Sequence, residues 1–114
     1  MALLTVATVA IAGVTPTTPA TPTATTGDTF LNTGREVVEL VNGSGSPVVV
    51  TIDVQRTTDG DGATVTDPTV TVAAGARKFV GPFPASYNDA SGLVKITFAS
   101  VTSNTITVLK VPAL

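Results

Sequence analysis

One run in the middle of the chain constrains the fold more than any other. Along residues 48–55 (VVVTIDVQ), Val48, Val50, Ile52 and Val54 recur at every second position, with Val49, Thr51, Asp53 and Gln55 between them. Side chains alternate across a strand with a period of two, so this run reads as a half-buried β-strand with its aliphatic row inward. Residues 93–99 (LVKITFA) repeat the pattern, placing Val94, Ile96 and Phe98 inward and Lys95 and Thr97 outward.

Weaker versions of the same signal continue along the chain. Residues 35–42, 69–73, 77–80 and 104–111 read as further strands, separated by turn clusters rich in Gly, Asn, Asp and Ser. The last of these loses its alternation near Leu109, which predicts a bulge or a change of burial there. Gly81-Pro82-Phe83-Pro84 interrupts pairing, because prolines at alternate positions cannot occupy a central strand. Gly27-Asp28 begins the ordered region, with Phe30 as its anchor. Thr and Val dominate a composition in which only 12% of residues are charged, and no helical window competes. The expected fold is all-β: a small antiparallel β-sandwich or barrel, Ig-like or jelly-roll-like, over residues 27–114, with an extended N-terminal arm over 1–26.

That arm has two parts. Residues 14–26 (VTPTTPATPTATT) carry Pro16, Pro19 and Pro22 at every third position, a spacing that suits a solvated polyproline II strand. With no apolar face, such a stretch gains nothing from ordering by itself, so it reads either as a disordered tail or passive linker or as an arm that orders against a neighbouring subunit. Residues 1–13 (MALLTVATVAIAG) are apolar instead. Their first basic neighbour is Arg35, so the positively charged start of a signal peptide is missing, and the run is too short to span a bilayer as a helix. A short strand or docking segment is expected there.

Catalytic residue types are scarce. The chain has no Cys and no His, which removes disulfides, thiolate nucleophiles, imidazole bases and the usual zinc ligands. A formal charge of −2 leaves no positive surplus to neutralise phosphates, so no nucleic-acid partner is expected. Asp59-Gly60-Asp61-Gly62, with Asp67 nearby, lacks the spacing of a calcium loop and reads as a turn. Glu36 and Glu39, three apart on one strand, project to opposite faces and form no acid–base pair. The serines have no His base and no nucleophile elbow. Asn42-Gly43-Ser44 fits a glycosylation sequon, as many turns do. Neither an enzyme nor a cofactor or metal site is expected. Gly81-Pro82-Phe83-Pro84 with Tyr87 has two readings: a rigid corner that buries Phe83, or a partner interface to which Phe83 and Tyr87 contribute. A body this small, without staples, is marginal alone, and this favours a protein partner.

The same residues carry a resemblance. Gly27-Asp28-Thr29-Phe30-x-Asn32-x-Gly34-Arg35 and a strand to Asn42 are followed by Val70-Thr71-Val72-Ala73-Ala74-Gly75, Gly81-Pro82-Phe83-Pro84, Tyr87-Asn88-Asp89 and Gly92-Leu93-Val94. With Ala12-Gly13-Val14-Thr15-Pro16 upstream, this order resembles small head proteins of tailed bacteriophages, capsid decoration (cement) proteins in particular. The resemblance covers most of the chain and brings no fixed functional residues. It implies a virion structural protein, made in the host cytoplasm, that binds the major capsid protein on the shell surface and stabilises the shell. It also implies self-association, with a homotrimer expected from how such proteins commonly work rather than from any residue here. The arm would reach a neighbouring subunit by strand addition, with Leu3, Leu4, Val6, Val9, Ile11, Pro16, Pro19 and Pro22 as its candidate interface residues. Two alternatives stand beside it: another virion component (tail tube, connector or fibre), and a secreted Ig-like adhesion module on a Thr/Pro stalk.

Overall fold

A computed structural model of the chain describes residues 2–15, 20–54 and 66–112. Its strands, in chain order, are β1 (Ala2–Leu3), β2 (Val6–Thr8), β3 (Asp28–Leu31), β4 (Glu36–Asn42), β5 (Val48–Asp53), β6 (Thr69–Val72), β7 (Arg77–Val80), β8 (Leu93–Phe98) and β9 (Asn104–Lys110). They form a five-stranded sheet, β1-β3-β8-β5-β6, packed on a four-stranded sheet, β2-β9-β4-β7. The protein is all-β and sandwich-like. Among the described residues the only helical turn is the short 3-10 turn Ala85–Tyr87.

Alternation decides what each strand buries. Val48, Val50 and Ile52 of β5, Val94, Ile96 and Phe98 of β8, Val38 and Leu40 of β4, and Ile106 and Val108 of β9 share one core with Phe30, Val72 and Phe83. Each fully buried side chain of this size contributes roughly 1.5–3 kcal/mol of transfer free energy. β9 runs alongside β4 without a bulge, from Asn104 opposite Asn42 to Lys110 opposite Glu36. Its lost alternation is a change of burial, with Ile106, Thr107 and Val108 buried in succession.

The sheets are mixed, which corrects the antiparallel expectation. β1 pairs parallel with β3, Ala2 opposite Asp28, and β2 pairs parallel with β9, Val6 opposite Val108. Parallel neighbours cannot be joined by a tight hairpin and need a long connection. Residues 9–27, the Thr/Pro-rich stretch among them, supply that length between β2 and β3.

Residues 1–26 are therefore not a separate arm where they are described. Leu4 N–H still donates to Thr29 O at 2.7 Å on the first sheet, whereas Val6 already pairs with β9 on the second. The chain thus crosses from one sheet edge to the other and closes that side of the sandwich. On its return, Ala20 exchanges two hydrogen bonds of 2.9 Å with Ile106, prolonging the β9 edge beyond β2. Pro22 is buried. Ala20 binds through its main chain and Thr23 through its N–H and hydroxyl, so the lack of an apolar face does not keep residues 20–23 from joining the body. Gly27 (φ +73°) then turns the chain into β3, where a Cβ would lie 2.7 Å from Ile96 O.

Candidate functional site

Glu36, Glu39, Asn42 and Asp67, described residues among the polar groups that sequence alone offers for chemistry, are engaged in the architecture. Several inward rows begin or end on a polar side chain that closes a neighbouring turn. Glu36, 1% exposed, accepts Thr33 N–H at 2.6 Å, the Thr33 hydroxyl at 2.9 Å and Arg35 N–H at 3.2 Å. Burial by itself raises its pKa, but these donors outweigh it and hold the carboxyl below its ordinary 4.5. Asn42 donates to Ser46 O and Val72 O and accepts the Ser44 N–H and hydroxyl. Its buried amide nitrogen has no room for a glycan in the folded chain. Asp67 Oδ1 accepts Val54 N–H at 2.9 Å. Glu39 faces outward, opposite to Glu36, and lies 3.7 Å from Arg77. Among the described residues no three acidic side chains gather to hold a metal ion. Asp59 and Asp61 lie outside the described residues.

Asp28 does something different. Its Oδ1 accepts Ala2 N–H at 3.2 Å and the Thr23 hydroxyl at 2.6 Å, and its Oδ2 accepts Thr23 N–H at 2.8 Å. One buried carboxylate therefore pins both the start of the N-terminal segment and its return. We refer to residues 2–8 as the strap.

The candidate interface residues differ in where the fold places them. Leu4 and Val6 pack partly against the core, and Pro22 is buried. Phe83 is 3% exposed, its ring 5.5 Å from Phe30 and 6.4 Å from the half-buried Tyr87. The corner reading holds for Phe83, which has no surface left for a partner. Val9 is half-buried and donates its N–H to Lys110 O, whereas Leu3 points outward. Pro16 and Pro19 lie outside the described residues. Ile11 is wholly exposed at the tip of a tight turn closed by Gly13 N–H to Ala10 O.

Around that turn lies an apolar end of the sandwich. Val9, Ala10, Ile11, Val111 and Pro112 line a shallow depression of about 230 Å³. Val111 also lines a second, of about 240 Å³, with Gly34, Arg35, Val37 and Pro82. The two share a wall and form one continuous surface, with Ile11 as a knob beside it. Exposed apolar side chains scattered singly are ordinary; these are grouped at one end of the sandwich.

No family model, curated protein or solved structure matches this chain.

Sequence reasoning reached Val9 and Ile11 but missed Val37, Pro82, Val111 and Pro112. The latter lie at the ends of strands and in a corner, where alternation ends. Only the fold brings Val111 and Pro112 beside Ile11, and Val37 and Pro82 beside Val111.

Proposed function

We propose that this protein is a non-enzymatic virion structural protein, a capsid decoration protein that binds the outside of a phage head and stabilises the shell. The observation that carries the reading is the apolar end formed by Val9, Ile11, Val111 and Pro112 with the adjoining Val37–Pro82 depression. A docking module needs such a surface on a rigid scaffold and needs no reactive group. The motif order from Gly27 to Val94 supplies the class of partner by resemblance: the major capsid protein, together with further copies of this chain. A threefold arrangement on the shell and an N-terminal segment reaching a neighbouring subunit belong to the same proposal. Repetition over a symmetric shell turns a modest contact into lasting attachment through effective concentration.

The test is binding of purified protein to capsids stripped of it. Saturable binding, and a shell that withstands higher temperature once coated, are expected. Ile11→Asp should retain the wild-type unfolding curve while weakening capsid binding about 10–100-fold, the equivalent of losing one buried aliphatic anchor. Failure of the wild-type chain to bind any capsid preparation would reject the decoration reading.

A further inference from the structure

The strap is held as a detachable part would be. Its main-chain bonds to β3 and β9 are independent of side-chain identity, and only Ala7 within it is buried. Beneath its crossing from sheet to sheet lies a cleft of about 230 Å³, walled by Ala2–Thr5 on one side and by Ala20 and Ile106–Val108 on the other. Space for several waters, at about 30 Å³ each, means that leaving costs little packing. Local opening starts where buried contacts are fewest.

The seat it would vacate is built to persist. Asp28 is oriented by the Thr23 N–H and hydroxyl as well as by Ala2, so its carboxylate stays in place when Ala2 departs. Ala20 remains bridged to Ile106 and marks where the body resumes. An emptied β3 and β9 edge would leave unpaired N–H and C=O groups, a template for another strand. The segment whose register, half-buried Leu4 and Val6, and Ala2 N–H already match that seat is the strap of another copy.

We infer that the strap exchanges between copies, β1 and β2 of one molecule docking on the β3 and β9 edges of a second. The same bonds form in either arrangement, so local concentration sets the balance, and an assembled array favours exchange. Residues 10–19, fully extended, reach about 35 Å, against molecular extents of 41 × 38 × 21 Å, so an adjacent copy is within range. The inference deepens, and rests on, the proposal that the N-terminal segment reaches a neighbour. Its test uses no capsid, so the two can fail separately.

The chain contains no cysteine, so introduced thiols are the only ones present. Thr8 and Lys110 are register partners across β2 and β9. Dilute Thr8→Cys/Lys110→Cys protein should close an intramolecular disulfide, which checks the register and the fold of the variant together. Concentrated Thr8→Cys protein mixed with Lys110→Cys protein can then form that bond only in trans. A covalent heterodimer is expected at about tenfold or more the yield of a control mixture of Thr8→Cys with Ser91→Cys. Control-level yield, with the double variant closing normally, would show that the strap stays on its own molecule and overturn the exchange. Failure of the double variant to close would overturn the pairing on which the exchange depends.

Discussion

At Glu36, burial and hydrogen bonding act on the carboxyl in opposite senses. Desolvation raises its pKa, the Thr33 and Arg35 donors lower it, and the net position is below 4.5. A folded pKa depressed below the unfolded one adds stability that is fully present above the unfolded value. That stability is lost as pH falls through the folded value. Glu36→Gln keeps the volume but turns one acceptor into a donor facing N–H groups. A loss of about 1–3 kcal/mol near neutral pH is expected. Urea unfolding near pH 7 and near pH 3 checks it, because the gap between wild type and variant should narrow at the acidic end. An unchanged gap would mean that the charge of Glu36 adds nothing beyond the shape of its side chain.

Among the elements, the strap and the inner strands respond differently to loss. Deleting residues 1–8 removes the partly buried Leu4 and Val6 and bares the edges of β3 and β9, while the inner strands keep their partners. The truncated chain should stay folded, lose about 2–3 kcal/mol, and associate as concentration rises, measured by calorimetry and light scattering. Deleting residues 1–26 should be far more damaging, because the Ala20 bridge, buried Pro22 and the Thr23–Asp28 bonds go too. The inner strands were legible because period-two alternation of Val and Ile is a local signal of burial. β7 matched over its full length, β5 placed Val48, Val50 and Ile52 inward as expected, and Val54 is buried just past its end. The strap and the return at Ala20 were not legible as sheet edges, since their partner strands lie far along the chain and the bonds are main-chain. Phe83 carried two readings until packing against Phe30 decided between them, and Val111 gave no sign before folding placed it beside Ile11.

For the whole molecule, the balance of charge and apolar surface sets the kind of attachment to expect. The formal charge is −2, and its described cations include Arg77, paired with Glu39, and Lys95, 3.3 Å from Asp53. Long-range steering by such a surface is weak, whereas the Ile11–Val111 end offers contiguous apolar contact. Two forces with different salt responses can thus be separated in one experiment. Charge pairing between exposed groups fades as the Debye length shrinks from about 14 Å at 0.05 M to about 4 Å at 0.5 M, but burial of aliphatic side chains does not. Capsid affinity of the wild-type protein should therefore change by less than about threefold over that salt range, measured by co-sedimentation. The Ile11→Asp variant should stay weak throughout. A tenfold or greater loss of wild-type binding at high salt would instead place attachment on a charged face, with the exposed Arg77 and Lys78 on the β7 edge the first side chains to substitute.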